Sequence, residues 1–231
     1  MGRLAMNWNR YSHVILIYIF LLLLIIFASF LDEVFFTLQN FKNLLIVALP
    51  LILVAFAQTI IILTSGIDLS VGAIVSLANV ICAAVMTNEP WGFLKGVLIA
   101  LIAGVLTGAF NGFIVSKGRI QPIIVTLATS AIYGGIALMI LPRPGGTVHV
   151  GFARTLTGSI LGISTPLIIL ILTGILIWTI TRKTPFGFSL YAIGGNELAA
   201  FSTGVAVDKI KLFAYTLAGF LCSLAGIFLA A

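Results

Sequence analysis

Charge is what this sequence has least of. Only 8% of its 231 residues are Asp, Glu, Lys or Arg, against 61% hydrophobic, and just six are acids. Soluble domains carry about 25% charged residues, so a soluble globular fold is excluded. Cysteine is nearly absent: Cys82 and Cys222 both fall inside apolar runs, with neither disulfide nor metal spacing, and read as small packing residues. The two histidines, His13 and His149, are isolated and read as interfacial polar groups. There is no G-x-x-x-x-G-K-[ST] loop to hold phosphates and no His, Cys and carboxylate cluster at ligand spacing. No Ser, His and Asp set can be argued either. These absences leave no catalytic residues, no metal and no cofactor to assign, and point to a chain that is not an enzyme. The net charge of +6 does not signal nucleic acid, because the Lys and Arg residues stand singly or in pairs between apolar runs.

What is abundant is long apolar sequence, with a mean hydropathy of +1.26. A span needs about 20 mostly apolar residues. The pattern predicts an all-α, polytopic bundle of about seven spans, at 14–31, 44–63, 69–86, 91–116, 121–141, from about 160 to 181, and 212–231. The first is too long for a signal-peptide core and lacks a small-x-small cleavage site, so it reads as an uncleaved span. Pro50 is expected to kink the second and Gln58 to face the interior. Seven passes with the N-terminus inside put Arg3, Arg10, Lys117, Arg119, Arg182, Lys183, Lys209 and Lys211 in the cytoplasm and Lys42, Lys95, Arg143 and Arg154 outside, which agrees with the positive-inside rule. Small residues at Gly104, Gly108 and Gly112 suit close helix approach, or are the ordinary glycine content of membrane helices.

Two stretches break the pattern. The first is Ser65, Gly66, Ile67, Asp68, Leu69, Ser70, Val71 and Gly72, and Asp68 is the one charged residue between Lys42 and Glu89. A carboxylate at membrane depth costs about 2.5–3.5 kcal/mol on insertion scales. It therefore belongs in a polar break or gate, with Gly66 and Gly72 relaxing the backbone and Ser65 and Ser70 bonding its free groups. The other reading is a short cytoplasmic turn in which Asp68 caps the next helix. The second stretch is the cytoplasmic segment 182–211. There Gly194 and Gly195 break the chain, Asn196 caps, Glu197 favours the helix start, and Leu198 to Thr203, with Ala199, Ala200 and Phe201, make a short helix that Gly204 ends. Leu198 and Phe201 share an apolar edge suited to a partner, unless the helix rests on its own bundle or on lipid headgroups.

These stretches resemble a known family. Ser65 to Gly72 is similar to the signature of the ribose-type sugar ABC transporter permeases. Gly108, Asn111, Gly112 and Val115 match its Gly-x-x-Asn-Gly-x-x-Val pattern, Pro122 to Thr129 its Pro-Phe-Ile-x-Thr-Leu-Ala-Thr pattern, and Thr184 to Gly187 with Tyr191 to Gly204 its cytoplasmic loop. Ile123 stands where Phe is usual, and Phe188 and Phe201 where Arg is common, so the docking loop departs in charge. The resemblance implies a permease domain over 1–231 with a coupling helix in 182–211, in the bacterial inner membrane. The implied partners are a cytoplasmic ABC ATPase that hydrolyses ATP, a second permease subunit (homo- or heterodimer), a periplasmic sugar-binding protein and membrane lipid. Family members have roughly ten spans, so the resemblance also implies a chain truncated at its C-terminus. The implied function is passage of a ribose- or galactose-type monosaccharide. The alternatives are a secondary transporter with Asp68 as proton or ion site, a branched-chain amino-acid or nucleoside ABC permease, and a non-transporting interaction subunit.

Overall fold

The structure is a computed structural model that describes residues 2–231, with side chains described for Ser12 and from Val14 onward. The side chains of Arg3, Arg10 and His13 lie outside the described residues. The chain forms two compact units, Met1–Leu44 and Leu45–Ala231.

In the first unit, α1 (Gly2–Leu31) carries the apolar run 14–31. The polar connection after it is a folded turn. Asp32 Oδ1 accepts from the Val34 N–H at 2.8 Å, and Asn40 Nδ2 donates to the Phe35 carbonyl at 2.8 Å. Thr37 Oγ1 accepts from the Asn40 N–H at 3.2 Å, satisfying a free donor at the start of α2 (Leu38–Ile62).

The second unit takes α2 from Leu45 and continues with α3 (Val71–Val85), α4 (Gly92–Lys117), α5 (Pro122–Ile140), α6 (Val150–Thr157), α7 (Thr165–Lys183), α8 (Pro185–Gly195), α9 (Glu197–Ser202) and α10 (Val207–Ala230). Among the described residues six helices are long and apolar enough to cross a membrane: α1, α2, α4, α5, α7 and α10. The seventh apolar run forms α3, whose 15 residues reach only about 22 Å against a hydrocarbon core of about 30 Å. It is short because Leu69 and Ser70 belong to the turn before it and Met86 is extended. Residues 160–163 do not open the sixth span. They lie in a small antiparallel hairpin, β1 (Ser159–Ile160) with β2 (Ile163–Ser164), whose backbone pairs across the turn, and α7 begins only at Thr165.

α10 is the central helix, packed on α4 and α3, with α5 beyond α3. Small residues make this possible. Gly104, Gly108 and Gly112 of α4 face Ser223, Gly219, Tyr215 and Leu212 of α10, so backbone meets backbone. Gly226 of α10 likewise sits against Val75 and Ala78 of α3.

The charges of this unit separate by end. Lys117, Arg119, Arg182, Lys183, Lys209 and Lys211 gather where α4 turns into α5, α7 into α8, and α9 into α10. Lys117 pairs with Asp208 and Lys211 with Glu197, each at 2.7 Å. The other end holds Lys95, Arg143 and Arg154. There Thr147 Oγ1 donates to the Met86 carbonyl at 3.0 Å, and Phe93 stacks on Phe152. His149 caps α6 by accepting from the Phe152 N–H. Six cations stand at the first end against three at the second, the bias that the positive-inside rule associates with a cytoplasmic face. Reporter fusions at Arg119 and Asn196 are expected to read cytoplasmic, and one at Gly151 periplasmic. A periplasmic signal at Asn196 would reverse the assignment.

Candidate functional site

The turn between α2 and α3 is built from its own polar residues. Thr64 Oγ1 bonds back to the Ile61 carbonyl at 2.7 Å, and Ser65 sits in the left-handed region at φ 57°. Asp68 is 2% exposed. Its Oδ1 accepts from both the N–H and the hydroxyl of Ser70, at 2.8 and 2.6 Å. The carboxylate thus closes the turn at the entry to α3, where the helix dipole also favours it. Among the described residues no cation comes within ion-pair distance of it. Asp68 is therefore a buried carboxylate that closes the turn and not the cap of α3, whose N-cap is Ser70 without a side-chain capping bond.

The network continues into two further helices. Ser70 Oγ accepts from Asn111 Nδ2 of α4 at 2.8 Å, and Asn111 Oδ1 accepts from the Tyr133 hydroxyl of α5 at 3.1 Å. Thr126, near the start of α5, accepts the Leu69 N–H at 3.0 Å. Asn111 and Thr126, which the sequence offers only as members of family patterns, and Tyr133, which it does not single out, are further functional candidates. For Asn111 the signal was present, a buried amide in the middle of an apolar helix.

The second stretch forms α8 and α9. Thr184 caps α8 by accepting from the Gly187 N–H, with Pro185 at the first helical position. Asn196 Oδ1 accepts from the Ala199 N–H at 3.0 Å and starts α9. Gly204, at φ 87°, ends its last turn. Ala200 is buried with Ile193 and Val207, whereas Leu198 and Phe201 are 80% and 70% exposed.

The structure brings the two stretches together. Ser65 and Gly66 line one cavity of about 290 Å³ with Gly195, Asn196, Glu197 and Tyr215. Ser65 Oγ donates to the Gly194 carbonyl at 2.9 Å. Leu198 and Phe201 instead border a groove of about 610 Å³ beside Arg119 and Asp208. Gly72 is apart from both, in an open groove between α3 and α5 with Ser76 and Gly134. Gln58 is half-buried, and its Oε1 is enclosed without a partner among the described residues.

Residues 40–231 match a family model described as branched-chain amino acid transport system / permease component. The chain is 38% identical over 211 residues to the ribose import permease protein RbsC of Bacillus subtilis, covering 89% of this chain and 65% of that protein. It is 37% identical over 214 residues to the Escherichia coli K12 ribose import permease protein, covering 90% and 66%. With the E. coli K12 D-allose transport system permease protein AlsC it shares 30% over 226 residues, covering 96% and 68%. No solved structure matches. The chain thus spans about 65% of the length of the ribose import permeases. Family, apolar helices and charge distribution agree on a multi-pass protein of the bacterial inner membrane. The chain belongs to this permease-component family, alongside the ribose import permeases.

Proposed function

We propose that this chain is a permease subunit of an ATP-driven importer that passes a ribose-type monosaccharide across the inner membrane. The observation that carries the reading is α9: a capped six-residue helix on the basic face, with Leu198 and Phe201 exposed and its start lining the same cavity as the Asp68 turn. In this reading the 182–211 segment receives a cytoplasmic ABC ATPase, which performs the hydrolysis. The membrane helices of the whole 1–231 domain line half of the path, completed by a second permease subunit, and a periplasmic binding protein delivers the sugar. Ser65, Gly66, Asp68, Ser70 and Gly72 act at the gate end. Gly195, Asn196, Glu197, Leu198, Ala199, Ala200, Phe201 and Gly204 form the coupling element. The family description mentions branched-chain amino acids, while the curated relatives are named for ribose and allose. The relatives therefore favour a sugar.

Phe201→Asp is expected to weaken ATPase association more than Asn196→Ala does. Loss of an N-cap costs about 0.5–2 kcal/mol of helix stability. A charge placed in an apolar docking contact removes a central aromatic anchor, at about 2 kcal/mol or more, roughly thirtyfold in affinity. Co-purification in detergent, with cysteine cross-linking to the ATPase from position 198 or 201, measures both. Intact association in Phe201→Asp together with no cross-link would place the coupling element elsewhere.

A second reading has one observation in its favour: Asp68 is buried with no cation beside it, as a proton or sodium site of a secondary transporter would be. Transport by the purified permease without an ATPase, driven by an ion gradient, is the outcome that would select it.

A further inference from the structure

Gly194 and Ser65 lie 129 residues apart in the chain and meet at one point. Besides the 2.9 Å hydrogen bond from Ser65 Oγ to the Gly194 carbonyl, the backbones themselves are in contact. A Cβ at position 194 would be driven into the Leu63 carbonyl oxygen, 3.1 Å from the Leu63 carbonyl carbon and 3.6 Å from the Ser65 nitrogen. Only glycine lets the end of α8 seat on the α2–α3 turn in this way. Beside this contact the cavity of about 290 Å³ separates the turn from Asn196 and Glu197. The end of α8 therefore bears on the turn through a small, defined joint with open space next to it.

What lies on each side gives the joint a use. Towards the cytoplasm, Asn196 follows two residues later and caps α9, so a displacement of the exposed Leu198 and Phe201 edge moves the corner at 194–196 first. Towards the membrane, two residues separate Ser65 from Asp68, and the hydrogen bonds from Asp68 through Ser70 and Asn111 to Tyr133 lead into α4 and α5. Tyr215 of α10 lines the same cavity, and its hydroxyl lies 3.1 Å from where a Gly66 Cβ would stand, so α10 closes the joint on its other side.

We infer that Ser65 and Gly194 are positioning residues that carry displacement of α9 to the Asp68 turn. The inference rests on the reading of α9 as the ATPase-facing helix. Its test uses the full-length permease reconstituted with its ATPase and binding protein, and D-ribose as the transported probe. Two quantities are read: ATPase co-purification, and ATP hydrolysed per ribose imported. Ser65→Ala is expected to keep the ATPase bound and to raise the ATP-to-ribose ratio about fivefold, the order expected for one lost hydrogen bond, and Gly194→Ala, whose Cβ forces the two backbones apart, to raise it at least as much. Ser65→Asn, which tolerates the left-handed region and brings an N–H donor, is expected to return the ratio towards that of the unmodified protein. A purely structural role would lower association and hydrolysis together and leave the ratio alone. Should Gly194→Ala not fold, Ser65→Ala decides by itself. An unchanged ratio in Ser65→Ala, or loss of the ATPase from it, overturns the inference. Failure of the docking reading shows separately, as a Phe201→Asp complex that stays intact.

Discussion

Gly219→Val is expected to destabilise the folded bundle strongly. Residue 219 lies at the crossing of α10 and α4, and a Cβ there would be driven into the Gly104 carbonyl oxygen and stand 2.9 Å from the Gly108 Cα. The obstacle is backbone, so no rotamer change relieves it; the helices must part. Parting them uncovers the most buried face in the protein, where Ala214, Tyr215, Ala218 and Cys222 pack. Overpacking in a core costs about 1–3 kcal/mol even where side chains can yield, and here they cannot. At roughly 2–4 °C per kcal/mol for a domain of this size, the melting temperature in detergent should fall by about 10 °C or the protein should aggregate. Gly134→Ala is the control, since a Cβ there meets nothing within 4 Å, and it should melt as the unmodified protein does. A Gly219→Val protein of unchanged melting temperature would show that the α4–α10 crossing is not what holds the fold.

Asp68→Asn should separate the turn-closing hydrogen bonds of the carboxylate from its charge. Asn keeps an oxygen that can accept the Ser70 N–H and hydroxyl, so the turn survives and the protein inserts and purifies. What is lost is the charge. A hydrogen bond to a charged group is worth about 1.5–3 kcal/mol against about 0.5–1.5 for a neutral one. A difference of about 1.4 kcal/mol is tenfold in an equilibrium. Uptake of D-ribose is therefore expected to fall about tenfold. Unchanged uptake would reduce Asp68 to a residue that closes the turn.

How much of this could be read from the chain depends on distance along it. The break was legible because Gly66, Asp68 and Ser70 interrupt an apolar run, and the limits of α9 because Asn196 and Gly204 are strong start and stop residues. α8 was hidden inside what reads as a hydrophilic connection, although its Thr184 cap and Pro185 are both helix-start signals. The length of α3 could not be read from hydropathy, since Leu69 and Met86 are apolar whether or not they are helical. The meeting of Ser65 with Gly194, and of Ser70 with Asn111, is set by packing between helices far apart in sequence, and no local pattern encodes it. Glycine at 104, 108 and 112 admitted two readings. Only the α10 backbone lying against those residues decides for close approach.

The central claim is that movement of an ATPase, not an ion gradient, drives this permease. It is tested most directly by D-ribose uptake into proteoliposomes holding the full-length permease with its ATPase and binding protein. The account predicts uptake that requires ATP and continues when proton and sodium gradients are collapsed. Uptake without ATP or ATPase that stops when either gradient is collapsed would contradict it.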